Sequence, residues 1–288
     1  MTAKLKLMIL CGRSPRHLYV ANALCGAGNV VAIVQEQGRE LTVKSLLRKL
    51  KPRVFFQKAW RWLRDRPRYA NQDEARFFFG DQAPRLTQPA LIRSVPHINH
   101  PAVVRLLEQL KPDLICVFGT SLIRGELLRG GRLGIVNLHG GLSPDYRGAD
   151  CTFWALYNGE PENVGCTLHY INAGIDTGEL IAHIRPAVVP NDDELRLFWR
   201  AVRESADVYA QFVARLATGE RFGIKQSGRG RLYQVRDRGL RQERALQQQL
   251  ANGLLAQCQL PVRVAWFSPS SDTVTAPITV CAESNTPV

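Results

Sequence analysis

Short apolar runs alternate with stripes of helical period along most of the chain, and the alternation has the rhythm of βαβ units. Residues 5–11 form a buried-type apolar run and predict a strand. Gly12, Arg13, Ser14 and Pro15 make a turn, with Ser14 as N-cap and Pro15 at the first helical position. Leu18, Val20, Ala21, Leu24 and Cys25 give a helical stripe, Gly26 and Gly28 end it, and residues 30–34 are the second strand. After an interruption the rhythm resumes with a strand at 95–98, a helix over 101–110 closed by Lys111 and Pro112, and a continuous apolar strand at 113–120. A run of that kind is buried on both faces. A short helix is expected at 123–128, a strand at 134–138, a helix at 151–158, and strands at 164–171 and 180–185. Asn191 and Glu194 predict a capping box. Leu195, Phe198, Val202, Ala206, Tyr209, Val213 and Leu216 then line one face of a long amphipathic helix. From Gly223 the chain is rich in glycine and arginine, then helical over 242–255. These elements predict an α/β fold with a doubly wound, mostly parallel sheet, a helical insert and C-terminal helices. The core is expected at 1–222 including the insert 38–94, with an extension at 223–288 whose tail, 269–288, is poorly ordered.

Composition narrows the class. With 288 residues, 45% hydrophobic and 22% charged, the chain can bury a core without staples. No apolar run approaches the roughly 20 residues that span a bilayer, and residues 5–11 are too short for a signal peptide, so a cytoplasmic location is expected. The seven cysteines show no C-x-x-C spacing and the six histidines no H-x-x-x-H spacing, so reduced thiols are expected and a dedicated metal site is not. The net charge of +13 favours anionic partners. Most of it lies in 44–68, where ten basic residues face one acidic residue and Phe55, Phe56, Trp60 and Trp62 are interleaved. That segment reads as basic amphipathic helices, either a solvated face with its aromatic residues packed inward or a surface for an anionic substrate or lipid headgroup.

Chemistry concentrates between Asn137 and Asp176. Asn137 and His139 stand at the carboxyl end of a buried strand, where ligands bind in open α/β sheets. A Gly/Pro loop follows, then Tyr146-Arg147-Gly148, then Asp176-Thr177-Gly178. An amide, an imidazole and a carboxylate converging there can run acyl transfer. The first two donate to an oxyanion, while the carboxylate orients the imidazole or a water and helps to collect a proton.

Asn137-Leu138-His139, Leu142-Ser143-Pro144, Tyr146-Arg147-Gly148, Gly159, Gly165-x-Thr167-x-His169 and Asp176-Thr177-Gly178, in this order, resemble the formyltetrahydrofolate-dependent formyltransferases. That family includes glycinamide ribonucleotide, methionyl-tRNA and sugar N-formyltransferases. The resemblance covers residues 95–190 and implies a Rossmann-like formyltransferase core. It implies Asn137, His139 and Asp176 as the catalytic trio and N10-formyltetrahydrofolate as co-substrate. It further implies Phe118, Gly119, Leu122 and Ile123, with Asn172, Ala173, Gly174 and Asp176, as the residues around the pteridine. Gly12, Arg13, Ser14 and Arg16, at the first helix, together with Tyr146 and Arg147, are expected on the acceptor side, because a helix N-terminus and arginines favour an anion. The family carries Pro or Ala and then Ser after the histidine and Leu-Leu-Pro beyond, where this chain has Gly140, Gly141 and Ser143.

The preferred acceptor is an amino sugar on a nucleotide or phosphate carrier, with glycinamide ribonucleotide the alternative. A formyltetrahydrofolate hydrolase is expected to carry a domain before the first strand. A tRNA-acting enzyme is expected to carry a C-terminal barrel of about 100 residues, so tRNA is not an expected partner. A reading of another class is a catalytically degenerate core that binds anionic surfaces through 44–68. The oligomeric state is left open.

Overall fold

A computed structural model describes residues 4–37, 72–190, 192–269 and 274–276. Strand β1 (Lys6–Cys11) leads through the Ser14 turn into helix α1 (Pro15–Ala27) and strand β2 (Asn29–Glu36). Helix α2 (Asp73–Phe79) precedes β3 (Ile92–Val95), α3 (Pro101–Leu110), β4 (Leu114–Phe118) and β5 (Ile135–His139). Strand β6 (Tyr146–Gly148) and helix α4 (Cys151–Tyr157) lie between β5 and β7 (Cys166–Tyr170), which turns into β8 (Leu180–Arg185). The long helix α5 (Glu194–Ala217) is followed by β9 (Arg231–Tyr233), α6 (Leu240–Ala251), β10 (Arg263–Trp266) and β11 (Val274–Ala276).

Nine strands form one sheet in the order β11-β10-β8-β7-β5-β4-β1-β2-β3. The five strands from β3 to β5 pair in parallel, which is the expected doubly wound core, and the remaining four extend it antiparallel. Period-two alternation loads both faces of the parallel half. Leu7, Ile9 and Cys11 of β1 face the core under α1 and α5, while Met8 and Leu10 face the core on the α3 side. Strand β4 repeats this with Leu114, Cys116 and Phe118 against Ile115 and Val117. The side chain of Tyr209, fully buried on α5, inserts its hydroxyl between β4 and β5. It accepts from Val117 N–H at 3.1 Å and donates to the Val136 carbonyl at 2.7 Å. Tyr209 thus satisfies backbone groups where the two strands part, and their carboxyl ends open into a cavity.

Several boundaries differ from the sequence reading. The strand expected at 95–98 is β3, three residues earlier, and Ile98 packs instead into the core on the α3 side. The helix expected at 123–128 is a 3₁₀ turn, Gly125–Arg129. Helix α5 is capped by Asp193, whose Oδ1 accepts Arg196 N–H at 2.8 Å. The expected box partner Glu194 is drawn instead to Arg238, at 2.7 Å through both carboxylate oxygens. Asn191, the basic segment 44–68 and most of the tail lie outside the described residues. The extension was expected to be helical. It also supplies β9, which pairs with β6, and β10, which continues the main sheet beside β8.

Candidate active site

Alternation along β5 places Asn137 and His139 on one face, while Val136 and Leu138 point into the opposite core. The antiparallel partner β7 answers in register, Asn137 opposite His169 and His139 opposite Thr167. Two polar pairs therefore face the same side of the sheet. Asp176 arrives from the loop after β7, in left-handed backbone conformation with φ of 52°. Its Oδ2 accepts Gly148 N–H at 2.9 Å and lies 3.6 Å from His139 Nδ1; its Oδ1 lies 3.6 Å from His169 Nε2. Gly178, two residues on, passes so close to the Tyr170 carbonyl that no side chain could stand there.

Neighbouring acceptors set the imidazole tautomers. His139 Nε2 donates to the Tyr146 carbonyl at 3.0 Å, which turns Nδ1 toward Asp176. His169 Nδ1 donates to the Tyr170 carbonyl at 2.8 Å, so its Nε2 accepts from Asn137 Nδ2 at 3.3 Å. Burial pulls His139 below its ordinary value, against the opposing pull of Asp176, and leaves it neutral at pH 7. Burial also opposes ionisation of Asp176, but the His169 hydrogen bond and the two imidazole charges hold it down to about 2. At neutral pH the centre therefore holds a carboxylate facing an imidazole lone pair, with room for one proton between them.

The trio opens on a cavity of about 420 Å³. One wall is the end of β4 and the turn after it, including Phe118, Gly119, Leu122 and Ile123; the other is Gly174, Ile175 and Asp176. Leu122 and Ile175 leave 41% and 40% of their surface exposed. Asn172 does not line the cavity. Its Oδ1 accepts from Gly174 N–H and Thr177 Oγ1, folding the loop that does. Ala173 is exposed and does not line it either.

The wall after β4 is held by residues that sequence reasoning passed over. Glu36, at the end of β2, accepts from Ser121 N–H at 2.7 Å, Ser121 Oγ at 2.6 Å and Ile98 N–H at 3.1 Å. Asn99 donates to the Leu122 carbonyl at 2.9 Å and accepts Arg124 N–H at 2.7 Å. His169 stood in the motif without a role. Its alternation with Thr167 on a strand was the available signal, whereas Glu36 and Asn99 carried none.

The glycines after His139 have a local cause. A Cβ at Gly141 would stand 2.5 Å from Cys151 Cβ and 2.7 Å from both Cys151 Sγ and the Tyr146 carbonyl. Cys151 fills that space, and its Sγ lies 3.6 Å from His139 Nε2.

On the expected acceptor side the structure makes corrections. Arg16 is already held by Glu74 of α2, its Nη1 at 2.8 Å and its backbone N–H at 3.2 Å from Oε1. A carboxylate thus occupies the helix N-terminus where an external anion was expected. Tyr146 is buried, donates its hydroxyl to Glu160 at 2.6 Å and stacks on Tyr233. Arg147 is buried and spans to the Gly230 carbonyl at 2.7 Å. Both side chains are struts, committed to the protein itself. Of this group Arg13 is the exposed side chain, beside Gly12 and Ser14; the Gly12 N–H donates to Phe118 O at 3.3 Å, and the Ser14 N–H to His17 Nδ1 at 3.3 Å.

Comparison with known proteins places the chain in a family. The sequence profile of the formyl transferase family matches residues 70–213, half of the chain. The chain belongs to the formyl transferase family. The matched stretch contains Asn137, His139, His169 and Asp176. A methionyl-tRNA formyltransferase from Chlorobium chlorochromatii (strain CaD3) is 31% identical over 158 residues, 53% of this chain and 48% of that protein. The chain thus spans about half the length of that curated relative. Among solved structures, a sugar N-formyltransferase from Shewanella sp FDAARGOS_354 superposes with a TM-score of 0.55 at 15% identity, covering 95% of this chain and 97% of the other. Glycinamide ribonucleotide transformylase 1 from Symbiobacterium toebii gives 0.51 at 20% identity, covering 80% and 94%. These likenesses describe a shared formyl transferase fold that, in the first case, runs through the C-terminal segment.

Proposed function

We propose that this formyl transferase moves a formyl group from N10-formyltetrahydrofolate to a primary amine. The observation that carries the reading is the meeting of Asn137, His139 and Asp176 at the rim of one cavity, in tautomers suited to acyl transfer. The cavity suits a flat heteroaromatic donor: it has an apolar strand end for the ring faces and backbone polar groups in both flanking loops for the ring edge. Exposed Leu122 and Ile175 at its mouth offer apolar cover for the part of the donor that leaves the slot. Bound there, the donor supplies the formyl carbon.

The chain's own groups do the rest. Asn137 uses one amide hydrogen on His169 and has a second for the negative charge that a carbonyl oxygen gathers under attack. His139 Nδ1 collects the proton that the attacking amine gives up, and Asp176 stabilises the imidazolium so formed. Once protonated, His139 is a donor like Asn137, and its proton passes to the donor nitrogen as the bond from that nitrogen to the formyl carbon breaks.

For the acceptor, the reading is an amino sugar on a nucleotide or phosphate carrier. Arg13, at the N-terminus of α1, is the cation offered to its phosphate. The test is release of tetrahydrofolate with a panel of amines: a nucleotide-linked amino sugar, glycinamide ribonucleotide and a simple alkyl amine. Turnover with the sugar nucleotide alone, and an acceptor KM raised about tenfold in Arg13→Ala, is the expected result; a charged hydrogen bond worth about 1.5–3 kcal/mol gives that size. Preference for glycinamide ribonucleotide would replace the acceptor, and no turnover with any amine would remove the reading.

A further inference from the structure

One side chain of the C-terminal segment grips the Asp176 loop directly. Ile224 forms an antiparallel bridge with Leu180, its carbonyl accepting at 2.8 Å and its N–H donating at 3.1 Å. Two residues on, Gln226 Nε2 donates to the carbonyl oxygens of Asp176 at 2.9 Å and of Gly178 at 2.7 Å. An amide nitrogen carries two hydrogens, so both are used on this loop. Between those two carbonyls the chain passes out of the left-handed conformation of Asp176, which a side-chain-bearing residue keeps only where its surroundings enforce it. The carboxylate is held at its other end by Gly148 N–H. With backbone and carboxylate both pinned, Asp176 stands where Oδ2 faces His139 and Oδ1 faces His169.

We propose that Gln226 is a positioning residue of the transfer reaction, holding the Asp176 backbone so that its carboxylate faces His139 and His169. The proposal rests on the reading of Asp176 as the partner of His139 in formyl transfer. A side chain that merely stapled the loop would lower thermal stability without moving the titration of an imidazole that it does not touch. A positioning residue moves it, because the carboxylate favours the charged imidazole and its withdrawal lowers the midpoint.

The experiment compares wild type, Asp176→Asn, Gln226→Met and Gln226→Asn in two readouts. One is the His139 titration midpoint by NMR of the nitrogen-labelled imidazole; the other is kcat and KM for transfer. Gln226→Met keeps the length and removes the donors. It should shift the midpoint down toward that of Asp176→Asn and lower kcat tenfold or more, with the acceptor KM little changed. Gln226→Asn keeps an amide on a shorter stem and should fall between. A folded Gln226→Met with wild-type midpoint and kcat overturns the proposal, and if it does not fold, the same result in Gln226→Asn does so. Wild-type transfer by Asp176→Asn would sink the functional reading instead, while the midpoints would still decide whether Gln226 aims the carboxylate.

Discussion

Between His139 Nδ1 and Asp176 Oδ2 there is room for one proton, and the pH dependence of transfer follows from which side of neutrality that proton binds. Burial holds His139 below its ordinary 6.5, so its base form predominates at neutral pH. Activity should decline toward acid pH along a limb set by the imidazole, with its midpoint below the ordinary 6.5. Asp176→Asn removes the charge that most raises His139, so in that variant the limb should move to still lower pH. Its transfer rate should fall by about 10²–10³, the size of effect seen when one group stabilising transition-state charge is lost. A pH–rate profile of both proteins checks this; an acid limb above 6.5 in the wild type contradicts the assignment. At this scale the sequence was informative where neighbours in space are neighbours in sequence. Asn137 and His139 share a strand face by parity alone, and Asp176 sits in the loop that follows the paired strand. Arg16 misled because its partner, Glu74, comes from another element and occupies the helix end that an anion was expected to use.

At the scale of elements, the cavity is shaped by loops that distant side chains hold. Glu36 clamps the turn after β4 through three hydrogen bonds. Glu36→Ala leaves Ser121 and Ile98 N–H groups without that acceptor. It should raise the KM for the formyl donor several-fold while kcat changes less, and cost about 1–3 kcal/mol of stability. Steady-state kinetics and urea melts read both, and an unchanged donor KM would show that this wall does not contact the donor. Gly141→Ala drives a methyl into Cys151 and the Tyr146 carbonyl. Overpacking of that kind costs about 1–3 kcal/mol, and because Cys151 touches His139, kcat should fall with the melting temperature. The helices and buried strands were legible from periodicity: α3 and β8 fall where the pattern placed them. The clamps were not, because Glu36 reaches partners 62 and 85 residues away.

At the scale of the molecule, the C-terminal segment is woven into the site. It pairs β9 with β6, adds β10 to the sheet and sends Arg238 into a pocket of carboxylates. The Arg238 side chain is only 1% exposed, bound to Glu194, Glu243 and Asp150 and lying 3.8 Å over the Phe153 ring. Arg238→Met leaves three carboxylates without that charge and should cost about 3–5 kcal/mol, read as a lower denaturant midpoint. These strands were missed because they are only three and four residues long, β9 within a charged, glycine-rich stretch, and pairing with partners distant in sequence completes them. Two imidazoles outside the trio add to the pH signature of the whole fold. Burial lowers His17 to about 3 and His183 to about 4. From pH 6.5 down to about 4 both are neutral in the fold and charged when unfolded, so stability falls with pH by about 1.4 kcal/mol per unit for each. The slope flattens below, where the folded imidazoles also take up protons. Urea midpoints between pH 7.5 and 4.5 test this; a midpoint independent of pH would mean that these imidazoles are not buried as described.

The most direct test of the account is single-turnover transfer of an isotopically labelled formyl group from N10-formyltetrahydrofolate to a nucleotide-linked amino sugar, in wild type and Asp176→Asn. The account predicts label in the sugar amide and stoichiometric tetrahydrofolate from the wild type, with the rate down by about 10²–10³ in the variant. Label that stays on the folate, or reaches the sugar equally fast in both proteins, would contradict it.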